Sequence, residues 1–259
     1  MQPILDGVDD LIDEALQVSN VGAAPHYKHK TSWNAVASRT ALVDWHRLLE
    51  RAAQRIQNNW DGEACRGKEN WRFTRNPTID PENTSPEKRI EKGIVVHCGD
   101  SWANQVPTCS GVNNGNERHR CIDLAFMEGA RVELIELKDT AGNNPLFTAI
   151  EVLIYGLVYR FSRVNRRALG YSETNNPLMF APDHIELKVL APTEYYRKYD
   201  ASGLAGLESG IKTGLGKLLL DGYGLTFGFE QFDLVHEIAD GDDSHRWRDM
   251  IKGRRPVHL

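Results

Sequence analysis

Three ionisable residues have the types and spacing for hydrolytic chemistry. Asp123 lies inside the apolar run CIDLAF, residues 121–126, and Glu136 and Lys138 close the run VELIELK, residues 132–138. A carboxylate within an apolar strand is costly unless something pairs with it. Two neighbouring carboxylates can hold one hard cation. Mg²⁺ prefers one or two protein carboxylates, with waters and a substrate phosphate completing its octahedron. Such an ion acidifies a bound water and stabilises charge on phosphoryl oxygens. A lysine beside it orients that water or neutralises the developing charge. The chemistry that fits is phosphodiester hydrolysis with Mg²⁺ or Mn²⁺. The competing reading is three ordinary polar residues at strand ends.

A hairpin must bring them together. Residues 121–127 and 130–138 read as strands joined by a Glu128-Gly129 turn. That register sets Asp123 opposite Leu134 and Cys121 opposite Glu136. Because side chains alternate, Asp123, Glu136 and Lys138 share a face, with Asp123 and Glu136 as diagonal neighbours. Around the hairpin, Ser85-Pro86-Glu87 starts a helix whose buried stripe is Ile90, Ile94 and Val95. A strand is expected at residues 104–109. Asn144 caps and Pro145 opens a helix reaching about Arg163. A strand follows at residues 184–190, stopped by Pro192. The order is helix, three strands, helix, strand.

That order, with Asp123 on the second strand and Glu136-Leu137-Lys138 on the third, resembles the PD-(D/E)XK nuclease superfamily. Ile122 stands where the motif's proline would be. The resemblance covers about residues 85–190. It implies an α/β restriction-endonuclease-like core, Asp123 and Glu136 as metal ligands, Lys138 as the catalytic lysine, and nucleic acid, DNA first, as partner. Restriction, repair or defence are the implied settings. The alternative is a catalytically inactive module on the same fold that binds nucleic acid or a partner.

Glu151 is the one charged residue in the apolar stretch 145–159. It must be paired, protonated or metal-linked. With Tyr155 it forms Glu-x-x-x-Tyr on one helix face, similar to the Gln-x-x-x-Tyr of RecB-like members; this implies a supporting catalytic role. Glu87 and Glu91, four apart on the first core helix, lie where several family members place a metal-side glutamate; Glu91 is the stronger candidate.

Other motifs are weaker. PDHIELK, residues 182–188, spells the family name, but Asp183 and Glu186 would point to opposite faces of one strand. The alternative is that Glu186 and Lys188 pair with an acid elsewhere. GIKTGLGK, residues 210–217, departs from a phosphate loop in its spacing and its Leu218, and reads as a turn and helix end. His26 and His29 sit in a loop. Arg160, Arg163, Arg166 and Arg167, and the basic C-terminus, could meet phosphates or complement helix dipoles.

The remaining chain reads as support. Ile4, Leu5, Val8, Leu11, Ile12 and Leu16 form an amphipathic stripe, a second helix is expected over residues 33–56, and residues 58–84 read as irregular. Strands are expected near residues 225–232. Residues 1–84 are thus an N-terminal helical extension, 85–190 the nuclease-like core and 191–259 a C-terminal elaboration of the same domain. The 259 residues are 41% hydrophobic and 26% charged, with net charge −5. This excludes a strongly basic coat but not a local basic groove. Four cysteines without CxxC spacing read as reduced thiols. No membrane span is expected, since the apolar stretch 145–159 is short. Five acids and no base in the first twenty residues point to the cytosol. The acidic first helix is the candidate surface for a second copy or partner protein.

Overall fold

The computed structural model describes residues 2–18, 32–78, 82–113, 120–181, 184–218, 224–233 and 243–258. Six strands form one mixed sheet in the order β1 (Trp102–Pro107), β2 (Cys121–Glu128), β3 (Arg131–Leu137), β4 (His184–Pro192), β5 (Gly224–Phe232) and β6 (Arg255–Pro256). β1, β2 and β3 run antiparallel; β4 lies parallel to β3, β5 parallel to β4, and β6 returns antiparallel. The parallel step requires a crossover, which α5 (Pro145–Val164) supplies. The expected central order is present: α4 (Pro86–His97) precedes β1–β3, and α5 and β4 follow.

Alternation along the strands divides the core. Leu134, Leu187 and Phe227 face α5 together with α1 (Val8–Leu16), α2 (Trp33–Thr40), α3 (Trp45–Asn59) and α7 (Ala201–Lys217). Ile135, Leu137, Leu190 and Phe232 face α4 and α8 (Ser244–Lys252). A one-turn helix, α6 (Thr193–Tyr196), follows β4. The apolar stripe of α1 is buried in the first core, so only its acidic face is open to a partner. None of the four cysteines is joined in a disulfide. α5 extends the apolar stretch to 20 residues, long and apolar enough by length and composition to cross a membrane, yet 83% of its most apolar window is buried.

Three expectations need correction. The hairpin turn is Gly129-Ala130, not Glu128-Gly129, because Glu128 pairs with Arg131 and Gly129 takes φ +58°. A two-residue turn with glycine at its first central position suits the strand twist. The register moves by two residues, so every side chain keeps its face. The helix expected over residues 33–56 is two helices. Asp44 accepts the Arg47 N–H and starts α3 afresh, and Leu42, apolar but 83% exposed, stands at the break. Residues 210–217, which read as a turn and helix end, are the last two turns of the 17-residue α7, whose glycines weaken the helical signal upstream; Asp200 caps it through the Gly203 N–H.

One of those glycines has a packing reason. A Cβ at Gly210 would stand 2.5 Å from Trp45 Cδ1, whereas one at Gly206 would meet nothing within 4 Å. We expect Gly206→Ala to stabilise the protein by roughly 0.5–1 kcal/mol through helix propensity. Gly210→Ala should instead destabilise it by about 1–3 kcal/mol through overpacking. Urea unfolding of both variants checks this; equal effects would contradict the α3–α7 contact.

Candidate active site

The site lies where β2 and β3 part. Their backbone pairing reaches Leu124 and Ile135. One residue further, the Leu137 N–H donates to the Asp123 side chain, Oδ2, at 3.1 Å. The Lys138 N–H is bonded to the Leu190 carbonyl of β4. Asp123 thus fills a fork between two ladders, and the register, continued one step, sets it against Glu136.

Lys138 Nζ is the centre. It donates to Glu136 Oε1 at 2.6 Å and stands 3.8 Å from Glu87 Oε1, 4.0 Å from Asp123 Oδ2 and 4.0 Å from Glu151 Oε2. Four elements contribute. Glu87 comes from the first turn of α4, which Ser85 caps, and Glu151 from α5, which Asn144 caps. β2 and the end of β3 supply the rest. Asp123, Glu136 and Lys138 are buried. Glu151 and Tyr155 line one small cavity with Asp9 and Arg120, as the shared helix face requires.

Glu91 does not join this group. It is fully buried, accepts from Asn104 and Gln105 at 2.6 and 2.8 Å, and pairs with Lys88 at 2.6 Å. Lys88 Nζ also lies 3.5 Å from Asp123 Oδ1. Sequence reasoning passed over Lys88; a lysine in the first turn of a helix, where the dipole disfavours a cation, was the available signal.

Burial dominates the electrostatics. It raises the Glu87 carboxyl to about 7, with Lys138 opposing and Asp123 and Asp139 assisting. Burial also raises Glu91 and Glu151, and Glu136 well above the carboxylate range, where the charge of Asp123 adds to it. For Lys138, burial alone would favour the neutral amine. The carboxylates of Glu136, Asp123, Glu87 and Glu151 outweigh it and hold the ammonium above its ordinary range.

Five carboxylates are therefore bridged by two lysines, with Lys92 at the edge, 3.9 Å from Glu91. Among the described residues, no three candidate ligands already stand together as a coordination shell; ammonium groups lie between these carboxylates. The donor set nonetheless suits a hard cation. It is all oxygen, and the buried Glu136 carboxyl lies within hydrogen-bond reach of a second acid, Glu151, a pair that a cation would bridge in place of a proton.

A second charged cluster lies on the opposite sheet face. Glu186 and Lys188 do pair with an acid elsewhere: Lys188 Nζ lies 2.9 Å from Glu186 and 2.8 Å from Glu230. Glu133, opposite Glu186 in the register, pairs with Arg131 and, at 2.6 Å, with Arg254. Here three carboxylates meet three cations, a balanced network. Asp183, His26 and His29 lie outside the described residues. The GIKTGLGK segment forms the last turns of α7 and is no phosphate loop. Of the arginines proposed for phosphate, Arg163 is buried on the Tyr159 hydroxyl and Arg255 pairs with Asp233. Comparison with protein-family models, curated proteins and solved structures finds no match for this chain.

The raised Glu87 carboxyl has a consequence for stability. Unfolded, it titrates near 4.5; folded, at about 7. Between these values the folded state holds the extra proton. Its contribution is therefore full below pH 4.5 and is lost as pH rises through about 7. In metal-free buffer, the unfolding free energy of wild type minus that of Glu87→Gln should fall over this window. A difference that rises or stays flat would contradict the assigned environment.

Proposed function

We propose that the protein is a Mg²⁺- or Mn²⁺-dependent nuclease of the PD-(D/E)XK type, acting on DNA, with α4, β1–β3, α5 and β4 as a restriction-endonuclease-like core. The observation that carries this reading is the convergence of Glu87, Asp123, Glu136 and Glu151 within 4.0 Å of one buried ammonium, Lys138. Five glutamate or aspartate side chains gather around two or three lysines, and burial raises the proton affinity of Glu87, Glu91, Glu136 and Glu151; a divalent ion would take the place of protons that the lysines cannot replace. Asp123 and Glu136 are the residues that would hold it, and they flank the fork from two strands.

When bound, the metal supplies an acidified water and charge stabilisation at the phosphoryl oxygens. The protein's own groups do the rest. Lys138, held by Glu136 and Glu151, keeps its proton and donates it in hydrogen bonds, so its role is to orient the attacking water and oppose charge growing on phosphorus oxygens. Glu151 positions that lysine and, with Tyr155, walls the site on the α5 side. Asp123 ties the metal position to the backbone through Leu137.

Cleavage of single- and double-stranded DNA and RNA, with and without Mg²⁺ or Mn²⁺, tests this. Wild type should cut only with metal, and Asp123→Asn, Glu136→Gln and Lys138→Met should each lose at least about 100-fold in rate. Metal-independent cleavage, or variants as active as wild type, would contradict the proposal. Binding without cleavage in wild type would favour an inactive module on the same fold.

A further inference from the structure

The proposal above leaves Lys88 without a task, yet its surroundings are specific. It sits in the first turn of α4, where a cation opposes the helix dipole, so helix formation does not account for it. Its ionic partners are two carboxylates of the candidate site, Glu91 Oε2 at 2.6 Å and Asp123 Oδ1 at 3.5 Å.

Those two partners are fixed. Glu91 is fully buried and anchored by the amides of Asn104 and Gln105. Gln105, on β1, takes φ +50°, a left-handed conformation that an L residue adopts only at a cost. Asp123 Oδ2 is occupied by the Leu137 N–H. Oδ1 is therefore the oxygen that a metal would engage with least disturbance, and Lys88 stands on it. The Lys88 side chain is 29% exposed, against 7% for Lys138. Of the two bridging cations, Lys88 is the one with a path to solvent.

We infer that Lys88 is an internal competitor for the metal. In the metal-free protein its ammonium pairs with Glu91 and stands 3.5 Å from Asp123, and it withdraws from Asp123 when a divalent ion arrives. Lys88 thus sets the metal affinity of the site, and it keeps the buried carboxylates compensated while no metal is present. This rests on the metal-dependent reading above. It also assigns Glu91 as the post that holds Lys88, a positioning residue rather than a metal ligand.

Calorimetric titration with Mn²⁺, without substrate, tests it. Lys88→Met should bind Mn²⁺ about tenfold or more tightly, because one charge within a few ångströms of the site is removed. Lys252→Met, an exposed control with the same net-charge change, should bind less than about twofold differently. Lys88→Arg keeps the charge and can grip a carboxylate with two bonds, so it should bind no more tightly than wild type. If Lys88→Met fails to melt cooperatively, Lys88→Gln, which keeps a donor for Glu91, carries the same comparison. Unchanged or weaker binding in the folded Lys88 variant, while Asp123→Asn abolishes binding, overturns this inference alone. Mn²⁺ binding that survives Asp123→Asn overturns the metal reading itself.

Discussion

Four carboxylates share one ammonium in a space largely closed to water, and the surrounding structure is arranged around that arrangement. An isolated buried carboxylate would cost several kcal/mol, so each must be delivered to within reach of Lys138. α4 enters with its capped N-terminus at the site and brings Glu87. α5 crosses the sheet with Glu151 on the face towards β3. β2 and β3 separate at the point where Asp123 replaces a backbone acceptor for Leu137. Moving any one of these elements would leave a buried charge unpaired.

The two charged clusters of the sheet show why counting acids is not enough. Glu133, Glu186 and Glu230 look as acidic as the candidate site when read along the strands. Arg131, Lys188 and Arg254 match them one for one, and Arg254 also stacks over Trp102 and Phe126. That network ties the C-terminal segment to the sheet and has no charge left over. At the fork the acids outnumber the cations, and burial drives their proton affinities up. Acids in surplus over their cations, and so driven to hold protons, distinguish a place suited to a metal from a structural ion-pair network.

Much of this was legible in the sequence because two signals are local. The caps Ser85-Pro86 and Asn144-Pro145 mark where α4 and α5 begin, and the apolar runs around Asp123 and Glu136 mark β2 and β3. The shared face of Asp123, Glu136 and Lys138 is kept although the hairpin turn lies one residue later than expected, since that moves the register by two and leaves strand parity unchanged. What was not legible depends on tertiary packing. The break at residues 41–44 is set by Asp44 and by Trp45 packing under α7, and α7 itself is specified by close approach rather than propensity. The position of Lys88 in the first turn of α4 is a local signal, but its partner Asp123 and the acid that meets Lys188, Glu230, come from distant segments.

Crystals soaked in Mn²⁺ test the central claim most directly, because anomalous scattering locates the ion without reference to activity. The account predicts a peak within coordination distance of the Asp123 and Glu136 carboxylates, about 2.0–2.2 Å as expected for a hard cation on oxygen. Mn²⁺ bound at the Glu133–Glu230 network, or no ion at the fork at saturating Mn²⁺, would contradict it.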